Sequence, residues 1–124
     1  MEEYREEARA KWGKVVDESY RRVSRVSKEK RAAIQAEAQD ITLKMAELMG
    51  QDPGSERVQK SIGRWFNHIN ANFYDCTLEV FRGLGTMYVE DERFKAFYEN
   101  VKGGLALFMR EAMHAYCDRC NDNV

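Results

Sequence analysis

The sequence predicts an all-α protein, a single domain of about six helices. Three observations carry that expectation. One proline stands among 124 residues, and proline is what most often interrupts a helix. Runs of β-branched residues, which favour strands, are few. Apolar residues recur at spacings of three and four over most of the chain, as one face of a helix requires.

The first such stripe is Tyr4, Ala8, Trp12, Val15 and Val16, and it predicts a helix over Glu2 to Val16. The pattern loosens from Asp17 to Ser27, where serines and arginines dominate, so a frayed helix or a connection is expected. Ser27 is placed to cap a second helix. Its stripe is Ile34, Ala38, Ile41, Met45 and Leu48, ending at Gly50. Gln51 to Gly54, with Pro53, reads as a turn. Ser55 opens a third helix carrying Val58, Ile62, Trp65, Ile69 and Phe73, and Tyr74 and Asp75 end it. Thr77 caps a fourth helix carrying Leu78, Phe81, Leu84, Met87 and Tyr88. Asp91 caps a short fifth, with Phe94, Phe97, Tyr98 and Val101 facing inward. Gly103 and Gly104 break the chain before a sixth helix that buries Leu105, Phe108, Met109, Ala112 and Tyr116. Its tail, DRCNDNV, is expected to fray. These apolar faces are wider than a coiled-coil seam, which points to crossed helices around one core rather than a simple bundle.

Composition excludes several classes. Apolar residues make up 44% and charged residues 33%, so the chain buries a core and is not disordered. No apolar run approaches the roughly 20 residues that span a bilayer. The acidic start, MEEYREEARA, is no secretory signal. Three unevenly placed cysteines do not form a disulfide framework, and the simple expectation is a reduced, cytoplasmic protein without membrane partners. The net charge of −1 favours no particular partner.

The residues that bear chemistry are few. Cys76 sits before a helix start, where unpaired N–H groups would favour a thiolate; the plainer alternative is an inert, half-buried cysteine. Gly83 and Gly85 flank Leu84 inside the fourth helix, and each costs about 1 kcal/mol relative to alanine. Close helix packing or space for a ligand beside Phe81 and Met87 would offset that cost. Trp65, Phe66, Phe73, Tyr74, Phe81, Tyr88, Phe94 and Tyr98 are more rings than a core of this size needs, and a ring-lined cleft is the functional alternative to a plain core. His68 lacks partner ligands at metal spacing and reads as partly exposed. His114, Cys117 and Cys120 have no second ligand cluster to complete a zinc site. Arg21 to Arg31, RRVSRVSKEKR, is a basic surface that reads as solvated, with phosphate contact as its alternative. No paired carboxylates, phosphate loop or nucleophile–base motif is present, so neither an enzyme nor a cofactor is expected.

The stretch from Phe73 to Phe94 resembles the TipA-type antibiotic-recognition domain, TipAS, the drug-binding C-terminal half of a group of MerR-family transcriptional activators. The matching residues are FYDC at Phe73–Cys76 and GLGTMYVEDERF at Gly83–Phe94, followed by Tyr98 and by GLA at Gly104–Ala106. WFNHI at Trp65–Ile69 and WG at Trp12–Gly13 also look like the family. The resemblance implies a globin-like arrangement of helices without haem. It implies a cleft for large, rigid, heterocycle-rich antibiotics such as thiopeptides, with Trp12, Trp65, His68, Phe73, Cys76, Phe81, Gly83, Met87, Tyr88 and Tyr98 as candidate ligand contacts. Some members capture a dehydroalanine-bearing drug on a cysteine. That position falls either on Cys76 or on Gly83, and in the second case binding is noncovalent. The resemblance also implies that residues 1–27 act as a lid over a ligand-binding core of residues 28–124. A MerR activator begins with a DNA-binding domain and a dimerising coiled coil, which this Glu-rich start lacks. The expectation is therefore a stand-alone domain or the excised effector half of a regulator, with no direct nucleic-acid contact of its own. The competing reading is a helical protein-interaction domain without a small-molecule ligand.

Overall fold

The computed structural model describes the backbone of residues 2–122 and the side chains of residues 13–121. The described chain forms six helices: α1 (Glu2–Arg25), α2 (Lys28–Leu48), α3 (Glu56–Asn72), α4 (Leu78–Glu90), α5 (Glu92–Val101) and α6 (Leu105–Asp122). No strand occurs among the described residues.

The helix boundaries follow local chemistry. Ser27 Oγ accepts from Lys30 N at 3.1 Å, and Thr77 Oγ1 accepts from Val80 N at 3.1 Å. Each satisfies one of the backbone donors that a helix start leaves free. Asp91 serves two helices. Its N–H donates to Met87 O at the end of α4, and its carboxylate accepts from Arg93 N and Phe94 N at the start of α5. Gly50 and Gly104 have φ of +100° and +94°, a left-handed conformation that side-chain-bearing residues rarely adopt.

α3 lies at the centre. Val58, Ile62, Trp65 and Ile69 meet Ile41, Met45 and Leu48 of α2, and Leu105, Met109, Ala112 and Met113 of α6 complete the core. α4 runs against α6, with Phe81, Leu84 and Tyr88 inward. Gly85 makes that approach possible. A Cβ there would stand 3.3 Å from Met113 Cβ and 3.4 Å from Arg110 Cα, so close packing accounts for one of the two glycines of α4.

Three expectations need correction. α1 does not loosen at Asp17 but continues to Arg25. Glu18 pairs with Arg21 at 3.2 Å and with Arg22 at 2.8 Å, and such i,i+3 and i,i+4 pairs support a helix whose apolar stripe is thin. Phe94 and Phe97 do not face inward: they are 39% and 59% exposed, because α5 spans only 10 residues and buries Tyr98 alone. α6 does not fray at Asp118 but remains helical to Asp122. The last two residues of the predicted tail, and the side chains of Tyr4, Ala8 and Trp12 in the predicted lid, lie outside the described residues.

Candidate functional site

α3 presents its aromatic residues in two directions. Towards α4 and α5, Trp65 Nε1 donates to Tyr88 OH at 3.2 Å. The Tyr88 ring packs on Tyr98, with centroids 4.6 Å apart, and on Phe94 at 5.6 Å. Burial, and then the neighbouring Tyr98, pushes the Tyr88 phenol up. Burial also raises Tyr98. Both phenols therefore stay protonated as donors over the whole neutral range. A hydrogen bond thus joins Trp65 to Tyr88 and a ring contact joins Tyr88 to Tyr98 within an apolar layer.

One turn along α3, His68 stacks on Trp65 at 5.6 Å and meets the edge of Phe73 at 5.6 Å. His68 is not partly exposed, as its sequence context suggested, but only 2% exposed. Its Nδ1 lies 2.6 Å from Glu37 Oε1 of α2, while its buried Nε2 has no partner. Glu37 escaped sequence reasoning because nothing in the α2 stripe ties it to a histidine 31 positions later.

Phe81 lies on the other side of α3. It is fully buried, tilted against Phe66 at 4.9 Å and edge-on to Tyr116 at 5.7 Å. Met87 and Gly83 are half-buried on α4. The structure therefore joins Trp65, His68, Phe73, Tyr88 and Tyr98 in one wall of rings that packs within the core, buried apart from the half-buried Phe73, and sets Phe81 in a second ring cluster with Phe66 and Tyr116.

Cys76 lies where expected in chain order, just before α4, but it is 6% exposed. Its N–H donates to Asn70 Oδ1 at 2.8 Å. Burial, with Cys117 nearby, pushes the thiol up to about 12. Desolvation outweighs the field of the helix start, which favours the inert, buried cysteine of the two alternatives over a stabilised thiolate. Cys117 is likewise buried and raised, and its thiol donates to Leu78 O at 3.2 Å. His114 Nε2 engages Arg82 O at 3.0 Å and Thr86 Oγ1 at 3.1 Å. His114 and Cys117 thus turn to separate partners on α4, and no group of three metal-binding side chains occurs among the described residues.

The sequence marks Arg22 only as part of the basic stretch Arg21–Arg31, not as an anchor. Its guanidinium accounts for three contacts, with Glu18 Oε1 at 2.8 Å, Asn70 O at 2.9 Å and Asp75 Oδ1 at 2.8 Å. It fastens the C-terminal end of α1 to the end of α3 and to the segment holding Cys76. The basic stretch Arg21–Arg31 is thus partly consumed: Arg21 pairs with Glu18, Arg22 anchors α1, and Arg31 donates to Val23 O.

The comparisons with known proteins agree with this picture. The TipAS antibiotic-recognition domain family matches residues 4–116. The chain is 39% identical over 116 residues to the HTH-type transcriptional activator mta of Bacillus subtilis, covering 93% of this chain and 45% of that activator. It is 36% identical over 118 residues to the HTH-type transcriptional activator TipA of Streptomyces coelicolor, covering 92% of this chain and 47% of TipA. The chain thus spans about half the length of these relatives. Among solved structures it resembles TipAS of Streptomyces lividans in complex with nosiheptide, with a TM-score of 0.81 and 35% identity over 96% of this chain and 86% of that one. It also resembles the antibiotic-binding domain of a TipA-class multidrug resistance transcriptional regulator, with a TM-score of 0.66 and 38% identity over 70% of this chain and 95% of that one. The globin-like arrangement of six helices is consistent with that fold. The chain belongs to the TipAS antibiotic-recognition domain family.

Proposed function

We propose that this domain recognises large, rigid, heterocycle-rich antibiotics of the thiopeptide class and serves as the effector-sensing part of a MerR-type, cytoplasmic transcriptional regulator. The observation that carries the reading is the family match over residues 4–116 together with the nosiheptide-bound relative of the same fold. The local chemistry supports it. A flat ligand gains most from rings that offer apolar faces with a few fixed polar tips, and Trp65, Tyr88 and Tyr98 form such a set. Residues 1–27 act as a lid over residues 28–124. The lid swings from its C-terminal end, where Arg22 holds α1 and the chain bends at Val26–Ser27. Trp12, His68, Phe73, Phe81, Gly83 and Met87 complete the candidate contact set. Binding is noncovalent, because a buried Cys76 thiol raised to about 12 supplies almost no thiolate at neutral pH. DNA is contacted only through a further domain of the regulator.

The test is titration of the protein with nosiheptide, followed by tryptophan fluorescence and thermal unfolding. At ligand concentrations 100 times the dissociation constant, stabilisation of about 2.7 kcal/mol raises the melting temperature by roughly 10 °C. Neither quenching nor stabilisation, with nosiheptide and with other planar antibiotics, would leave the competing reading of a protein-interaction domain. That second reading draws on the full burial of Phe81 and on Phe97, an exposed ring on α5.

A further inference from the structure

α3 carries a basic ridge that lies outside the candidate antibiotic contacts. Arg57, Lys60 and Arg64 recur at spacings of three and four, so they line one side of the helix. Between this ridge and α2 lies an open groove of about 340 Å³, lined by Lys44, Leu48, Arg57, Lys60, Ser61 and Arg64. Lys60 also borders a second groove, towards α6, that Tyr116 and Arg119 line.

The charges in the groove are incompletely balanced. Lys44 reaches Glu47 at 3.7 Å and Arg64 reaches Asp40 at 3.2 Å, and all four of these side chains are at least half exposed or nearly so. Arg57 and Lys60 have no carboxylate partner among the described residues, although the chain as a whole carries 21 acids against 20 bases. Ser61 adds a second, independent feature. It is 5% exposed, and its hydroxyl is buried without a hydrogen-bond partner. A buried hydroxyl without a partner is costly, and such groups are usually satisfied in native proteins.

We infer that the α2–α3 groove is a binding site for a phosphate-class oxyanion. Arg57 and Lys60 supply unpaired charge, Lys44 of α2 and Arg64 of α3 add theirs at the end away from Leu48 and Arg57, and Ser61 donates its hydroxyl once it rotates toward the bound oxygen. Leu48 provides the apolar floor that lowers the local dielectric. The site is separate from the wall of Trp65, Tyr88 and Tyr98, and stands or falls independently of antibiotic binding.

The experiment is a titration of ¹⁵N-labelled full chain with pyrophosphate, with sodium chloride as the control at matched ionic strength. The expected result is saturable shifts confined to residues 44–48 and 57–64. Arg57 and Lys60 are exposed, so the double variant R57Q/K60Q keeps the fold and weakens binding by about tenfold. Ser61→Ala keeps the helix and weakens binding by about threefold, a change that a purely structural serine would not produce. Displacement of pyrophosphate by a short random-sequence DNA duplex assigns the phosphate to a nucleic-acid backbone. Failure of the duplex to displace it assigns the site to a free phosphorylated molecule. Shifts that chloride reproduces, that never saturate, or that persist undiminished in the double variant overturn the site.

Discussion

Arg22 of α1 and Asp75, just before α4, meet at 2.8 Å across 53 positions of sequence. The same guanidinium donates to the backbone oxygen of Asn70 at 2.9 Å. Asn70 in turn accepts from Cys76 N through its side chain. One side chain therefore couples the end of α1 to the segment that leads into α4. The hydrogen bonds to Asp75 and then to Glu18 hold the guanidinium above its usual range, so it is charged at every accessible pH.

Arg22→Ala is expected to change global stability only slightly, because Asp75 is almost fully exposed and its ion pair is screened. The larger effect is local. Hydrogen exchange should accelerate through residues 13–25 while α3 and α6 remain protected. Arg22→Lys should not restore the protection, since one ammonium cannot reproduce a forked guanidinium. Uniform protection in the alanine variant would show that α1 is held by other means.

Phe81→Ala is expected to lower stability by about 3–5 kcal/mol. The ring is fully buried between Phe66 and Tyr116, so its removal leaves a cavity whatever it contributes to a ligand. Trp65→Phe is a gentler probe of the other wall. It keeps most of the ring and deletes the bond to Tyr88 OH. Chemical denaturation gives the stability change, and nosiheptide titration of both variants gives the affinity change. An affinity loss larger than the stability loss for Trp65→Phe, but not for Phe81→Ala, would place the ligand against the Trp65 wall.

How far the sequence discloses this molecule depends on the range of the interaction. The stripes of α2, α3 and α6 are visible because core residues repeat locally, and the caps at Ser27, Thr77 and Asp91 are visible because capping acts over three residues. Glu37–His68 and Arg22–Asp75 are invisible because each joins separate elements, at spacings that only the folded chain sets. Phe94 and Phe97 mislead for a different reason. A helix of 10 residues offers room to bury one ring, so periodicity predicts more inward positions than the short α5 supplies. Cys76 shows the same limit in electrostatics. Its place before a helix is legible, whereas the burial that dominates its acidity is not.

Cys120 should be alkylated before Cys76 and Cys117. It is half-exposed near the end of α6, while the other two thiols are buried and raised by burial. Limited iodoacetamide treatment followed by peptide mass spectrometry gives the order. Fast modification of Cys76 in the native protein would restore it as a nucleophile and reopen covalent capture.

Stability should fall as pH rises through the alkaline range. The Cys76 thiol moves from an ordinary 9.0 to about 12 on folding, so above pH 9 the unfolded chain releases a proton that the folded chain retains. The unfolded state then binds fewer protons, and linkage makes the stability slope negative between about pH 9 and pH 12. Tyr74, Tyr88 and Tyr98, all raised by burial, act with the same sign from pH 10 upward. Urea titrations at pH 8, 9 and 10 should show the decline, and Cys76→Ala should reduce its onset near pH 9. A flat profile would mean that the thiol is wetter than its 6% exposure indicates.

The lid is the remaining prediction. α1 is 24 residues long, yet its described half leaves Val16 and Tyr20 61% and 79% exposed. Val15 packs against the core, and Arg22 pins the C-terminal end. Among the described residues of α1, 13–25, Val15 and Arg22 carry the contacts with the core, so this part gains little from tertiary packing, the source of most helical stability in proteins. Its opening should therefore cost less than global unfolding. Ordering it over a ligand costs roughly 1–2 kcal/mol per residue fixed, which flat apolar contact must offset. Hydrogen exchange on the free protein should show fast exchange towards the N-terminal end of α1 and slower exchange near Arg22. Saturating nosiheptide should slow the whole helix. Equal, slow exchange along α1 with and without the antibiotic would make it a fixed part of the core and remove the lid from the mechanism.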